Sequence, residues 1–94
     1  MIKITLDSTW ANKGQFYQTW IINGEEYRTV SEWDDVQYLT NNYAAILGPG
    51  IIAEDVITLA IHGYGPTIDG ETTEWDLESL QKRLKEGGYI HEPA

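Results

Sequence analysis

Ile2, Ile4 and Leu6 alternate with Lys3, Thr5 and Asp7, the period of a strand with one face buried. Ser8 to Gly14 breaks that alternation and reads as a polar loop carrying an exposed Trp10. Gln15 to Ile22 is β-rich and runs into Asn23-Gly24, the strongest short hairpin signal, after which Glu25 to Val30 returns. A two-residue turn sets Ile22 opposite Glu25, Trp20 opposite Tyr27 and Tyr17 opposite Val30. The aromatic cross-strand pair adds roughly 0.2–1 kcal/mol and pins the register.

From Ser31 the pattern changes period. Ser31 reads as a helix N-cap, with Asp34 in a box-like position and Trp33, Val36, Leu39, Tyr43 and Ile46 or Leu47 along one stripe. Gly48-Pro49-Gly50 stops that helix. Ile51-Ile52-Ala53 leads to Val56–His62, β-branched and apolar on both faces, which predicts a central strand. Tyr64 to Thr72 predicts a second, smaller hairpin turning at Asp69-Gly70. Thr73 predicts the cap of a second helix with Trp75 or Leu77, Leu80 and Leu84 buried, ended by Gly87-Gly88.

These elements predict a single α+β domain over residues 1–94: an antiparallel sheet of about four strands with two helices packed mainly on one face. Its expected core is Ile4, Leu6, Trp20, Tyr27, Val36, Leu39, Ile57, Leu59, Ile61, Leu80 and Leu84. One internal echo stands out. Ile22 to Glu25 followed by Ser31 to Asp34 resembles Ile68 to Glu71 followed by Thr73 to Asp76, either as a repeated unit or because turn and capping chemistry converge.

Composition sharpens the picture through charge. From Thr29 to Gln81 there is no Lys or Arg, but there are ten carboxylates: Glu32, Asp34, Asp35, Glu54, Asp55, Asp69, Glu71, Glu74, Asp76 and Glu78. The whole chain carries −9. Such a field repels nucleic acid and anionic membranes and attracts basic protein surfaces. Helix-dipole support at two predicted N-termini accounts for Glu32, Asp34, Asp35, Glu74, Asp76 and Glu78. It does not account for the other four, or for the missing bases.

Other chemistries find little footing. There are no cysteines, so disulfides and thiolate chemistry are excluded. Asp69-Gly70-Glu71 fails the calcium-loop template, and no metal-binding His pair occurs. Gly48-Pro49-Gly50 and Gly63-Tyr64-Gly65-Pro66 lack the Lys and the helix of a phosphate loop. His62 with a nearby carboxylate and Tyr64 can be drawn as an acid–base pair, but none of Ser8, Ser31 and Ser79 reads as a nucleophile in a strained elbow, and His91 lies in the tail. No enzyme and no cofactor is expected. The N-terminus carries no signal-peptide pattern, and a cytoplasmic location is expected.

The run Ile21 to Trp33, with its strand, Asn-Gly-Glu turn and following Ser, resembles the opening of barstar-type ribonuclease inhibitors. That family's inhibitory helix has no counterpart after Leu47, so no residue role is carried over. The acidic composition is similar to that of phage-encoded proteins that block restriction or CRISPR nucleases. The expected function is therefore stoichiometric inhibition of a basic nucleic-acid-handling protein by mimicry of nucleic-acid charge. The ten carboxylates, with Trp10 and Tyr38 as aromatic anchors, are the expected binding residues. The alternative is a small phage or bacterial structural or assembly module whose acidity serves solubility.

Overall fold

The computed structural model describes residues 1–32 and 35–88. Its frame is a five-stranded antiparallel sheet built from β1 (Ile2–Asn12), β2 (Gln15–Ile22), β3 (Glu25–Glu32), β4 (Asp35–Tyr38) and a late strand, β7 (Thr72–Trp75), in the order β4-β3-β2-β1-β7. Between β4 and β7 lie a short 3-10 turn (Asn41–Ala44), the small hairpin β5 (Ile46–Gly48) and β6 (Ile51–Ile52), and helix α1 (Ala53–Leu59), which runs on into a wider segment, Ala60–Tyr64, kinked at Gly63. Helix α2 (Leu77–Glu86) follows β7. The α+β architecture with its helices on one side of the sheet is as the sequence predicts.

The β2–β3 hairpin forms in the expected register, with Ile22 opposite Glu25, Trp20 opposite Tyr27 and Tyr17 opposite Val30. Asn23 and Gly24 take φ of 49° and 86°, as a turn matched to the strand twist requires. Asn23 also ties this turn to β1: its side chain accepts from the Lys3 amide and its own amide donates to the Lys3 carbonyl.

Several elements differ from the sequence expectation. The segment Ser8 to Gly14 is not a loop. β1 continues to Asn12 and turns back into β2 through Lys13 and Gly14. What disguises it is a bulge at Asp7, which shifts the pairing between Leu6 opposite Trp20 and Ser8 opposite Thr19. An extra residue reverses the faces of everything beyond it. Ile2, Ile4 and Leu6 point into the core, while Ser8, Trp10 and Asn12 point the other way.

The predicted helix from Ser31 is strand instead. Ser31 and Glu32 end β3, Val36 and Asp35 pair back onto them, and Gly48 to Gly50 turn the β5–β6 hairpin. The apparent helical stripe arose because Val36, Leu39 and Tyr43 are three and four residues apart by coincidence, Val36 lying in β4 and Tyr43 in the 3-10 turn. Trp33 and Asp34 lie outside the described residues.

Conversely, the predicted strand Val56–His62 is the helix α1. A continuously apolar run suits a buried strand or a buried helix equally. Glu54 and Asp55 in its first turn, stabilised by the helix dipole, favour the helix. No second hairpin forms at Asp69-Gly70. The turn instead delivers β7 to the free edge of β1. Thr73 lies inside β7, and Asp76 caps α2. The two halves of the internal echo thus share strand character at Ser31-Glu32 and Thr73-Glu74, but only the second leads into a capped helix.

The core lies between one sheet face and the helices. Ile2, Ile4, Leu6, Trp20, Ile22 and Tyr27 meet Ile51, Val56, Ile57, Leu59, Leu80 and Leu84. Of the expected core, Val36 and Ile61 are half-buried and Leu39 is exposed. No helix among the described residues is long and apolar enough to cross a membrane.

Candidate functional site: the open face of the sheet

Strand registers arrange the other sheet face in rows, because directly opposed residues share a face. At one end stand Asn12, Gln15, Glu32 and Asp35 across β1 to β4. The next row is Trp10, Tyr17, Val30 and Gln37. Beyond it come Ser8, Thr19 and Arg28. Among the described residues no helix packs on this face.

Trp10 and Tyr17 stack with ring centroids 5.6 Å apart and planes 11° from parallel. Trp10 remains 43 % exposed, whereas Val30 at the centre of the row is 7 % exposed. The Tyr17 hydroxyl donates to Gln15 Oε1 at 3.0 Å, and Gln15 Nε2 reaches Glu32 Oε2 at 3.5 Å. Gln15, Val30, Glu32, Asp35 and Gln37 enclose a shallow cleft of about 350 Å³. Its floor is apolar and its rim carries two carboxylates and two carboxamides. Lys13 lies in the adjoining turn, and Arg28 forms a 3.0 Å ion pair with Glu26.

Of the expected binding residues, Trp10, Glu32 and Asp35 come together here. Glu74 lies on the same face but at the far end, opposite Lys3. Asp34 is outside the described residues. The rest serve other positions. Asp55 is buried, and Glu54 is half-buried with its carbonyl accepting from Tyr38 and Thr58. Tyr38 is no exposed anchor: it is half-buried on the core side, its hydroxyl bonded to Thr58 Oγ1 and to the Glu54 carbonyl.

Asp69 and Glu71 are tied into the bulge and its turn. Asp69 Oδ2 accepts from the Thr9 amide at 3.2 Å, and Glu71 Oε1 accepts from the Thr67 amide at 3.1 Å. Asp76 Oδ1 accepts from the Ser79 amide at 2.7 Å, capping α2, and that bond with the Ser79 hydroxyl contact holds its carboxyl below the usual Asp value. Glu78 is exposed in the first turn of α2. The nine described carboxylates therefore do not form one continuous surface.

Asn12, Gln15, Tyr17, Val30 and Gln37 were missed by sequence reasoning. The available signal was Lys13-Gly14 between Trp10 and Tyr17, a second hairpin turn like Asn23-Gly24. Among the described residues no cluster of His, Asp and Glu is placed to hold a metal ion.

No protein family, curated protein or solved structure matches this chain. The likeness of Ile21 to Trp33 to the barstar-type opening stops at the hairpin, since Ser31 and Glu32 continue the strand where that family begins a helix.

Proposed function

We propose that this chain is a non-enzymatic inhibitor that binds a basic nucleic-acid-handling protein, such as a restriction or CRISPR nuclease, one to one in the cytoplasm. Its carboxylates take the place of phosphates against the partner's Arg and Lys side chains. The observation that carries this reading is the open sheet face, where Glu32 and Asp35 stand side by side next to an exposed aromatic stack. Mimicry by the whole acidic segment is narrowed accordingly, because Asp55, Asp69, Glu71 and Asp76 are engaged within the fold.

The scatter of those four favours the second reading, a small assembly module whose charge keeps it soluble. Capture separates the two. Immobilised protein is exposed to a nuclease-rich lysate, and bound material is eluted with duplex DNA or with salt. Inhibition predicts a basic nucleic-acid-binding protein that DNA displaces and whose retention falls as salt screens exposed charges. Retention of non-basic proteins alone, unaffected by DNA or salt, supports the assembly module.

A further inference from the structure

We propose that the open face receives an extended, arginine-bearing segment of the partner protein, with a guanidinium seated between Glu32 and Asp35 beside the Trp10–Tyr17 stack. The inference rests on the reading of this chain as a ligand of a basic protein and assigns that binding to one surface. The sheet face is bare among the described residues, while every buried aliphatic side chain of the main core lies on the other side. Such a face holds an exposed Trp and a Tyr, two of the residue types enriched in protein-binding hot spots, in one row with a buried Val.

Charge selects the occupant. Glu32 and Asp35 are directly opposed across β3 and β4 and are both exposed. The nearby Arg28 is already paired with Glu26. A nucleic acid would bring phosphates to this rim, so the aromatic stack does not suit a base here.

Chemistry then favours arginine over lysine. A guanidinium bonds a carboxylate in a planar fork and stacks on an aromatic ring at the same time, whereas an ammonium is a compact point charge. This face offers carboxylates and rings in adjacent rows. Gln15 and Gln37 add amide oxygens that can accept the remaining N–H groups. Neighbouring strands are about 4.8 Å apart, so the face from β1 to β4 is about 14 Å wide, the reach of roughly four extended residues.

The test uses the intact, nitrogen-15-labelled protein titrated with three probes: a short alternating Arg–Gly peptide, its Lys–Gly counterpart, and a thymidine oligonucleotide. The Arg–Gly peptide should move the Trp10 indole N–H and the Gln15 and Gln37 side-chain amides first, binding about fivefold or more tighter than Lys–Gly. Glu32→Gln with Asp35→Asn should weaken it about tenfold, as loss of charge-assisted bonds implies. Glu78→Gln should leave it unchanged. Both variants are isosteric at exposed positions, and their amide spectra report folding directly.

Equal affinity for the two peptides overturns the guanidinium assignment, and oligonucleotide binding on the Trp10–Tyr17 stack overturns the occupant. Shifts gathered on α1 or α2 overturn the surface while leaving a basic partner in place. Absence of binding by either peptide, with no basic protein captured from lysate, removes both this inference and the function it rests on.

Discussion

Gly65 shows how tightly single positions are specified. A Cβ built there would sit 2.6 Å from the Ala60 Cβ, 2.9 Å from the Ala60 Cα and 3.3 Å from the Trp75 ring. Two of those atoms belong to the buried Ala60, the residue that follows α1, and none can swing aside as a long flexible side chain does. Gly65→Ala should therefore destabilise by about 1–3 kcal/mol, the usual cost of overpacking. Gly48 is a built-in comparison, since its added Cβ would press mainly on Leu77 Cδ2 at 3.0 Å, a side chain that is part-exposed and can rotate. Thermal unfolding of the two Ala variants should show a clear loss for Gly65 and a smaller one for Gly48. Equal losses would mean that Ala60 and Trp75 give way as easily as Leu77. The reason for glycine at 65 was not readable from the chain, because Ala60 and Trp75 are brought to it by tertiary packing, whereas Gly24 announced itself through the Asn23-Gly24 pair.

At the scale of elements, the bulge at Asp7 decides which residues face outward. It is held from outside the strand: the Gly70 amide donates to the Leu6 carbonyl, the Leu6 amide to the Glu71 carbonyl, and Asp69 accepts from Thr9. Asp69→Ala removes one exposed hydrogen bond and should cost up to about 1 kcal/mol. Its sharper signature is local. Amide exchange at Thr9 should rise with little change at Trp20 or Ile22, and the Trp10 indole resonance should shift as its strand loosens. Unchanged exchange at Thr9 would show that backbone pairing alone holds the bulge. The sequence made the β2–β3 hairpin legible because turn chemistry and alternation agree there. It concealed the rest of the site because a one-residue bulge inverts the alternation, so Trp10 looked like a loop residue, not a strand neighbour of Tyr17. The exchange of helix and strand between Ser31–Leu47 and Val56–His62 has a different cause. Short apolar runs fit either period, and Tyr38 joins the two segments by reaching Thr58 and the Glu54 carbonyl, a contact distant in sequence.

At the scale of the whole molecule, the charges divide between elements. Three of the six bases, Lys82, Arg83 and Lys85, sit on α2, where Arg83 lies 4.6 Å above the Tyr64 ring. Basic side chains near the C-terminal end of α2 complement its dipole. This local basic surface is set against a chain carrying −9, and non-specific affinity for nucleic acid comes almost wholly from cations meeting phosphates. Neither duplex nor single-stranded DNA should form a complex with the protein in a gel-shift assay at low salt, the condition that most favours such contacts. The aromatic stack does not alter this expectation, because Glu32 and Asp35 flank it and a strand laid across the rings would bring its phosphates to them. Retardation of DNA by the protein alone would mean that α2 or the open face outweighs the overall field. The protein would then be a nucleic-acid binder, and competition with phosphates for a basic partner would no longer describe what it does.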